Sequence, residues 1–165
     1  MIERSGQISA EYLLFTGVVI LIIMISAVLI YNQQELNIAM SAAKNGVNDG
    51  IVESSSAIYP KQSYNDYSKS KNGLLLPYSV EVVNISYSET GFDSRYDKKK
   101  IQFKVHAKSS KELSKKQLDS IGDRINYNLR KSIAISFNST SATNKLYNPV
   151  FSPHYVFTTA NVKWV

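Results

Sequence analysis

Residues 7–34 read QISAEYLLFTGVVILIIMISAVLIYNQQ, and no charged side chain occurs from Tyr12 to Gln34. Tyr12 to Tyr31 is a 20-residue apolar run, interrupted by the small or hydroxyl-bearing residues Thr16, Gly17 and Ser26. At about 1.5 Å per residue, a helix of this length spans ~30 Å, the thickness of the hydrocarbon core of a bilayer. A helix that is apolar on every side over this length is typical of a membrane span, so we expect one here.

An ordinary cleaved signal peptide is a poor interpretation of this segment. Such signals have an apolar core of about 7–15 residues followed by small residues at the cleavage site. Here the run is longer and ends in the bulky residues Leu29-Ile30-Tyr31-Asn32. A plain transmembrane anchor fits the length but leaves Glu11 unexplained, because a carboxylate beside an apolar helix is costly in a membrane.

Glu11 would have a function if a positive charge had to be neutralised at the edge of the membrane span, where Glu11 lies. Cleavage between Gly6 and Gln7 would place a new α-ammonium group four residues before Glu11, on the same helix face. In a stack of axially staggered helices, that ammonium could instead meet Glu11 of an adjacent chain. At ~4 Å and an effective dielectric constant of about 20, the pair gains about 4 kcal/mol before desolvation is subtracted, so it would set axial register more than add net stability.

Gly6 followed by Gln7-Ile8-Ser9-Ala10-Glu11-Tyr12-Leu13 resembles the class III signal sequence of archaeal type IV pilins, known chiefly from methanogens. The resemblance implies that a prepilin peptidase removes the leader 1–6 and that the apolar tract is retained as a filament core. Gly6 would be the last leader residue, Gln7 the first mature residue and Glu11 the acidic fifth residue, with Gln7 and Glu11 acting in assembly. The implied function is that of a cell-surface filament subunit used in adhesion or surface attachment.

Few charges flank the tract, and they favour a cytoplasmic N-terminus with an exported C-terminal part. Arg4 precedes the tract, and the next positive residue after it is Lys44. The expected organisation is a leader over 1–6, a transmembrane and filament-core helix over 7–34, an amphipathic continuation over 35–58 and an exported head over 59–165. The protein would lie in the membrane before assembly and in a surface filament afterwards. An alternative is a membrane-anchored, exported binding module that does not polymerise.

The helical period continues beyond Gln34 with apolar residues at Leu36, Met40, Ala43, Val47, Ile51 and Ile58. Spacings of three and four place these residues on one stripe, so we predict a single helix from about Ser9 to Ala57 whose second half packs on the head. Gly46 and Gly50 disfavour helix and leave three interpretations open: a bend, a close contact or fraying.

The head is predicted to be α+β, with a small antiparallel sheet and one further helix. Tyr59–Gly73 is a predicted loop. Alternation through Tyr78, Val80 and Val82 slips at Val83 and resumes at Ile85 and Tyr87, which predicts a strand with a bulge. A second strand is predicted from the alternation at Ile101, Phe103, Val105 and Ala107.

The capping-box pattern Ser114-Lys115-Lys116-Gln117 predicts the start of a helix. Its apolar face would consist of Leu118, Ile121, Ile125 and Leu129. The period of two at Ile133, Ile135 and Phe137 predicts a return to strand, and a last strand is predicted from Tyr155 to Trp164.

No motif in the sequence indicates catalysis, so we expect no enzyme activity, no catalytic residue, no cofactor and no metal site. Cysteine is absent. His106 and His154 have no neighbour at metal-ligand spacing, and Asp119 and Asp123 are interpreted as ordinary charges on a helix surface.

A basic region extends from Arg95 to Lys131, with twelve Lys and Arg against four Asp and Glu. It predicts either a simple solvated face or contact with an anionic surface or glycan, whereas nucleic acid is not expected because no nucleic-acid-binding motif is present. Asn84-Ile85-Ser86 and Asn138-Ser139-Thr140 are possible N-glycosylation sites, at Asn84 and Asn138.

The leader interpretation predicts the N-terminus of the mature protein. Intact-mass and N-terminal peptide analysis of protein isolated from its native cells should find Gln7 as the first residue, with the apolar tract retained. An intact Met1, or loss of the whole tract, would contradict the prediction.

Overall fold

The computed structural model describes residues 3–56, 80–110 and 112–165, without the side chains of residues 3–8 and 53–56. Its elements are α1 (Glu3–Ser56), β1 (Val80–Asp93), β2 (Lys98–Ser109), α2 (Lys115–Ser136), a 3-10 helix (Thr140–Ala142), β3 (Val150–Phe151), β4 (Tyr155–Thr159) and β5 (Lys163–Trp164). The α+β class expected from the sequence is confirmed. The predicted loop at Tyr59–Gly73, the strand start at Tyr78 and the boundary between residues 58 and 59 lie outside the described residues.

The chain forms two compact units, Met1–Asn37 and Ile38–Val165. In the first unit, the large apolar side chains from Tyr12 to Tyr31 are all between 38% and 72% exposed, on every side of α1. The hydroxyls of Thr16 and Ser26 donate hydrogen bonds of 2.8 Å to the carbonyls of Tyr12 and Ile22, one turn back. These bonds satisfy two polar groups that lipid could not hydrogen-bond.

In the second unit, α1 buries a stripe of small residues. Ala39, Ala42, Ala43, Gly46, Val47 and Gly50 are buried, whereas the longer Met40 and Ile51 are half-buried. A Cβ atom added to Gly46 would lie 2.4 Å from the backbone oxygen of Asn128, and one added to Gly50 would lie 3.0 Å from Cα of Ile125. Of the three interpretations, the structure supports the close contact with α2, and the helix continues through both positions to Ser56.

Strand β2 is the centre of a five-stranded sheet with the order β1-β2-β4-β3. It pairs antiparallel with β1 along one edge. Along its other edge it pairs in parallel with β4 at Lys99–Phe103 and with β5 at His106–Ala107. The last strand predicted from Tyr155 to Trp164 is therefore present as two short strands in line, interrupted at residues 160–162. The sheet is mixed, with antiparallel β1–β2 pairing as its most extensive contact.

The predicted bulge in the first strand is confirmed. The β1–β2 register shifts between Val82 and Asn84, so Val83 is the extra residue, and its side chain is 54% exposed. A second shift, between Glu89 and Phe92, includes Gly91 at φ 104°, a conformation that favours glycine.

The core of the second unit is formed by buried residues of α1, α2 and one face of the sheet. The predicted inward residues of β2, from Ile101 to Ala107, are at most 1% exposed. Ile121, Ile125, Leu129 and Ile133 of α2 are at most 3% exposed. The predicted capping box is also confirmed: the side-chain oxygen of Ser114 accepts a bond from the Gln117 amide, and Oε1 of Gln117 accepts one from the Ser114 amide at 2.9 Å.

The strand predicted at Ile133–Phe137 is wrong, because α2 continues to Ser136. Ile133 follows Leu129 by one helical turn and extends the buried stripe, whereas Ile135 is 60% exposed. Three residues at a period of two are too short a pattern to exclude helix, and burial of Ile133 against the core selects it.

The contact between α1 and α2 predicts a graded effect of alanine substitution at three glycines. Gly46→Ala should lower the free energy of unfolding by about 2 kcal/mol, because an overpacking cost of about 1–3 kcal/mol or more exceeds the helix-propensity gain of at most ~1 kcal/mol. Gly50→Ala should cost less. Gly17→Ala is the control, since its added Cβ meets nothing within 4 Å. Urea unfolding of the full chain in detergent micelles measures the series, and equal effects at all three positions would contradict the close contact.

Candidate functional site

The predicted processing and assembly residues lie at the start of α1. The backbone is helical through Gly6 and Gln7, whose side chains are outside the described residues. Glu11 is exposed, directly before the apolar tract, and forms no salt bridge with any residue in the described part of the chain. The end of the helix thus presents a carboxylate that can pair with a cation from elsewhere.

Small residues interrupt the exposed apolar surface of the same helix. Ala10, Gly17 and Ala27 are all exposed, and nothing lies within 4 Å of a Cβ placed on Gly17. In an apolar solvent, where helices gain little from hydrophobic burial, such residues allow two helix backbones to approach closely. This surface is suited to packing against other helices.

Asn84 lies on the sheet face that points away from α2. It pairs in register with His106, while the next residue, Ile85, pairs with Val105 on the core side. Asn84 is exposed.

Asn138 lies in the turn that ends α2 and has a structural role of its own. Its φ is 49°, its amide donates to the Ile135 carbonyl at 3.0 Å, and the Ser139 amide donates to the Ala134 carbonyl at 2.8 Å. This pair of bonds is the Schellman arrangement. Its left-handed position is usually occupied by Gly and, less often, by Asn. Asn138 is also exposed, so both sequons present their asparagine to solvent.

The basic region is divided between two surfaces. Alternation along β2 places Lys100, Lys104, His106 and Lys108 on the sheet face opposite the core, and Lys163 of β5 lies beside His106. We call these five residues the basic sheet face. Lys108 forms a salt bridge of 2.9 Å with Glu81, both largely exposed. The remaining cations of the region include several on α2, so the sequence count of the basic region overstates the charge on any one face.

Lys98, at one end of the same strand, is held by the protein itself. Its Nζ donates to the carbonyls of Ser152, at 2.9 Å, and Pro153. Lys98 therefore stabilises the loop between β3 and β4, and we do not count it in the basic sheet face.

Among the residues that the structure describes, no group of three His, Asp or Glu side chains is placed to hold a metal ion. His106 lies on the polar face of β2, where the sequence places it, among lysines. His154 precedes β4, and its carbonyl accepts the Lys99 amide at 3.1 Å.

The chain matches no protein-family model, and comparison with curated proteins and with solved structures returns no significant match. What the structure defines is an α+β protein with one N-terminal helix long and apolar enough to cross a membrane. None of the residues in its most apolar 18-residue stretch is buried. By length and composition, such a helix could be a membrane anchor or a signal sequence.

The left-handed conformation of Asn138 predicts a difference between two substitutions that both destroy its sequon. Asn138→Ala should lower the free energy of unfolding by about 1 kcal/mol, whereas Asn138→Gly should leave it unchanged or raise it slightly. Urea unfolding of unglycosylated protein, followed by tryptophan fluorescence, measures both. Asn84→Gln is the control, because it removes the other sequon at an exposed position without this constraint. Equal effects of Ala and Gly would show that the positive φ is not limiting.

Proposed function

We propose that this protein is a type IV pilin-like subunit of an archaeal cell-surface filament that acts in adhesion or surface attachment. A prepilin peptidase would cut between Gly6 and Gln7, and the apolar first half of α1 would then form the filament core. The observation that carries the proposal is α1 itself: one unbroken helix that is apolar and exposed on all sides over Tyr12–Tyr31 and then buries a small-residue stripe in the head.

The exposed Glu11 supports this function over a plain anchor. A carboxylate directly before a lipid-facing tract is costly unless a cation meets it. The proposed cleavage supplies that cation as the α-ammonium group of Gln7, in the same chain or in an adjacent one. Because desolvation offsets most of the attraction, the pair would select one axial stagger between subunits and add little to total stability.

Packing between helices would provide the assembly energy. Lipid already solvates the tract, so the free energy gained when the helix leaves lipid comes from shape complementarity between helices. The small residues Ala10, Gly17 and Ala27 contribute by allowing close approach. Repetition of the same non-symmetric contact from subunit to subunit produces an open helical filament. The partners of the mature helix are thus lipid before assembly and other pilin subunits afterwards.

The basic sheet face gives the proposed subunit a surface for anionic partners. Its cations project from one side of β2 and β5, and Lys104 is exposed. Acidic glycans, an anionic cell surface or an acidic patch on a neighbouring subunit would be attracted to this side, with an affinity that falls as salt is added.

A membrane-anchored binding module that never polymerises is the second candidate, and the basic sheet face favours it equally. The two functions differ in where the mature protein is found. A filament subunit is released from cells in sheared surface fibres, whereas an anchored module stays in the membrane fraction.

Glu11→Gln tests the role of the carboxylate in assembly. The variant should insert into the membrane as the wild type does, because it removes only a charge. The yield of sheared filaments should fall at least about tenfold, because the ammonium group of Gln7 is left unpaired at a cost of roughly 1.4 kcal/mol or more per subunit contact. Asp49→Asn is the matched control, an isosteric change at another exposed carboxylate of α1. Normal filaments from Glu11→Gln would refute the register role, and a wild-type protein that never leaves the membrane fraction would favour the second candidate.

A further inference from the structure

A depression of about 590 Å³ lies between α2, the end of β4 and the loop that precedes β3. Arg130 and Tyr127 line it from α2, Thr159 from β4 and Leu146 from the loop. We call this feature the Arg130 pocket. Its volume is within the range of small-molecule sites in proteins, roughly 300–1,000 Å³. It adjoins a second depression of about 420 Å³, and the two share the lining residues Asp123, Asn126 and Asn161.

Arg130 is a half-buried cation that forms no ion pair with any residue in the described part of the chain. Burial lowers the pKa of the Arg130 guanidinium, and the Asp123 carboxylate opposes that shift without forming a salt bridge. A charge that is partly removed from water is unfavourable unless an opposite charge compensates it. The pocket therefore favours an anion beside this guanidinium.

The guanidinium of Arg130 is oriented by the protein, and part of it remains available. Its Nη1 donates to Oγ1 of Thr159 at 2.5 Å, and its Nε donates to the Leu146 carbonyl at 3.2 Å. Among the described residues, none accepts a hydrogen bond from Nη2. Nη2 and the second N–H of Nη1 form the end of the guanidinium, which can bind a planar carboxylate through two parallel hydrogen bonds.

The loop wall of the pocket is held in place by the protein itself. Oδ1 of Asn144 accepts hydrogen bonds from the amides of Leu146 and Asn148, at 2.9 and 3.0 Å. The rings of Tyr127 and Tyr147 pack edge-on, with their centroids 5.5 Å apart. Because these groups are already ordered, a ligand loses little affinity to the ordering of the protein.

The charges of the lining residues select the sign of the ligand and limit its charge. The described lining of the Arg130 pocket has two cations, Arg124 and Arg130, against one carboxylate, Asp123, so its net charge is positive by one. The second depression has one cation, Lys115, against Asp119 and Asp123, so its net charge is negative by one. An anion is therefore favoured on the Arg130 side, and a single negative charge matches that side better than a double one.

We infer that the Arg130 pocket binds the carboxylate group of a small, polar, singly charged molecule. The carboxylate would accept hydrogen bonds from Nη1 and Nη2 of Arg130, and the exposed carboxamides of Asn148 and Asn161 would hydrogen-bond the polar remainder of the ligand. A uronic acid and an N-acylamino acid both present this chemistry. The inference does not depend on cleavage at Gly6 or on filament assembly, because every group that it uses lies in the second unit.

Calorimetric titration of the full chain, in micelles of an uncharged detergent at low ionic strength, tests the inference. The probes are glucuronate and N-acetylalanine, with glucose and N-acetylalanine amide as their neutral counterparts and glucose phosphate as a dianion. We expect at least one monocarboxylate to bind saturably, about tenfold or more tightly than its neutral counterpart and more tightly than the dianion. The better of the two monocarboxylates identifies the source of the carboxylate.

Two substitutions in the lining should change binding in opposite directions. Arg130→Lys keeps the charge but removes the planar fork, so it should weaken monocarboxylate binding by about tenfold or more. Asp123→Asn is an isosteric change at an exposed residue, and it removes the one carboxylate of the lining. It should therefore tighten binding by roughly threefold or more.

Lys116→Gln is the matched control, because it removes an exposed cation of α2 that lines neither depression. It should change binding less than about twofold. Circular dichroism checks that each variant is folded. Since Asp123→Asn alters only an exposed side chain, the test remains decisive even if Arg130→Lys unfolds the protein.

Four outcomes would overturn the inference. Neither monocarboxylate saturates the wild type at millimolar concentration, the neutral counterparts or the dianion bind as tightly as the monocarboxylates, Lys116→Gln weakens binding as much as Arg130→Lys, or Asp123→Asn weakens binding. The third result would indicate general attraction to a basic protein. A negative result for filament assembly would leave all four outcomes unchanged.

Discussion

The contact of α1 with α2 through Gly46 and Gly50 is the interaction on which the second unit depends. At Gly46 the backbone of α2 occupies the space that any larger side chain would need. Two helices can approach this closely only where one of them has no side chain, and Ala39, Ala43 and Val47 on the same stretch of α1 are completely buried. On the side of the C-terminal strands, the Asn126 amide of α2 donates to the Ala160 carbonyl and Arg130 donates to Thr159 of β4. One helix therefore contacts both α1 and the end of the sheet.

The first half of α1 follows a different constraint. An α-helix satisfies its backbone hydrogen bonds internally, so it can be surrounded by lipid or by other helices without a polar penalty. The hydroxyls of Thr16 and Ser26, which interrupt the tract, donate hydrogen bonds to carbonyls one turn back. These two polar side chains are therefore also satisfied within the helix. Glu11 is the exception, because it is a charged residue exposed at the edge of the tract. An ionisable residue at the edge of a membrane span is a candidate functional residue.

The head has two polar surfaces with different chemistry. The basic sheet face is cationic and open, so its attraction for a partner is long-ranged, unspecific and reduced by salt. A groove between α2 and the C-terminal strands, lined by Asp123, Asn126 and Asn161, is concave and mixes hydrogen-bond acceptors with donors.

Local patterns in the sequence were sufficient for the features that depend on neighbouring residues. The continuous apolar run specified the helix of α1, the Ser114–Gln117 box specified the start of α2, and the slip in alternation located the bulge at Val83, because each of these is governed by contacts within a few positions. Where two periods fitted equally, as at Ile133–Phe137, only burial against the core decided between helix and strand. The tertiary structure alone established that Gly46 meets the α2 backbone, that β4 and β5 add in parallel to β2, and that Asp123, Asn126 and Asn161 share one groove. Those juxtapositions join segments whose residues are 35 to 82 positions apart, and the interactions that choose among such pairings leave no periodic signal in the chain.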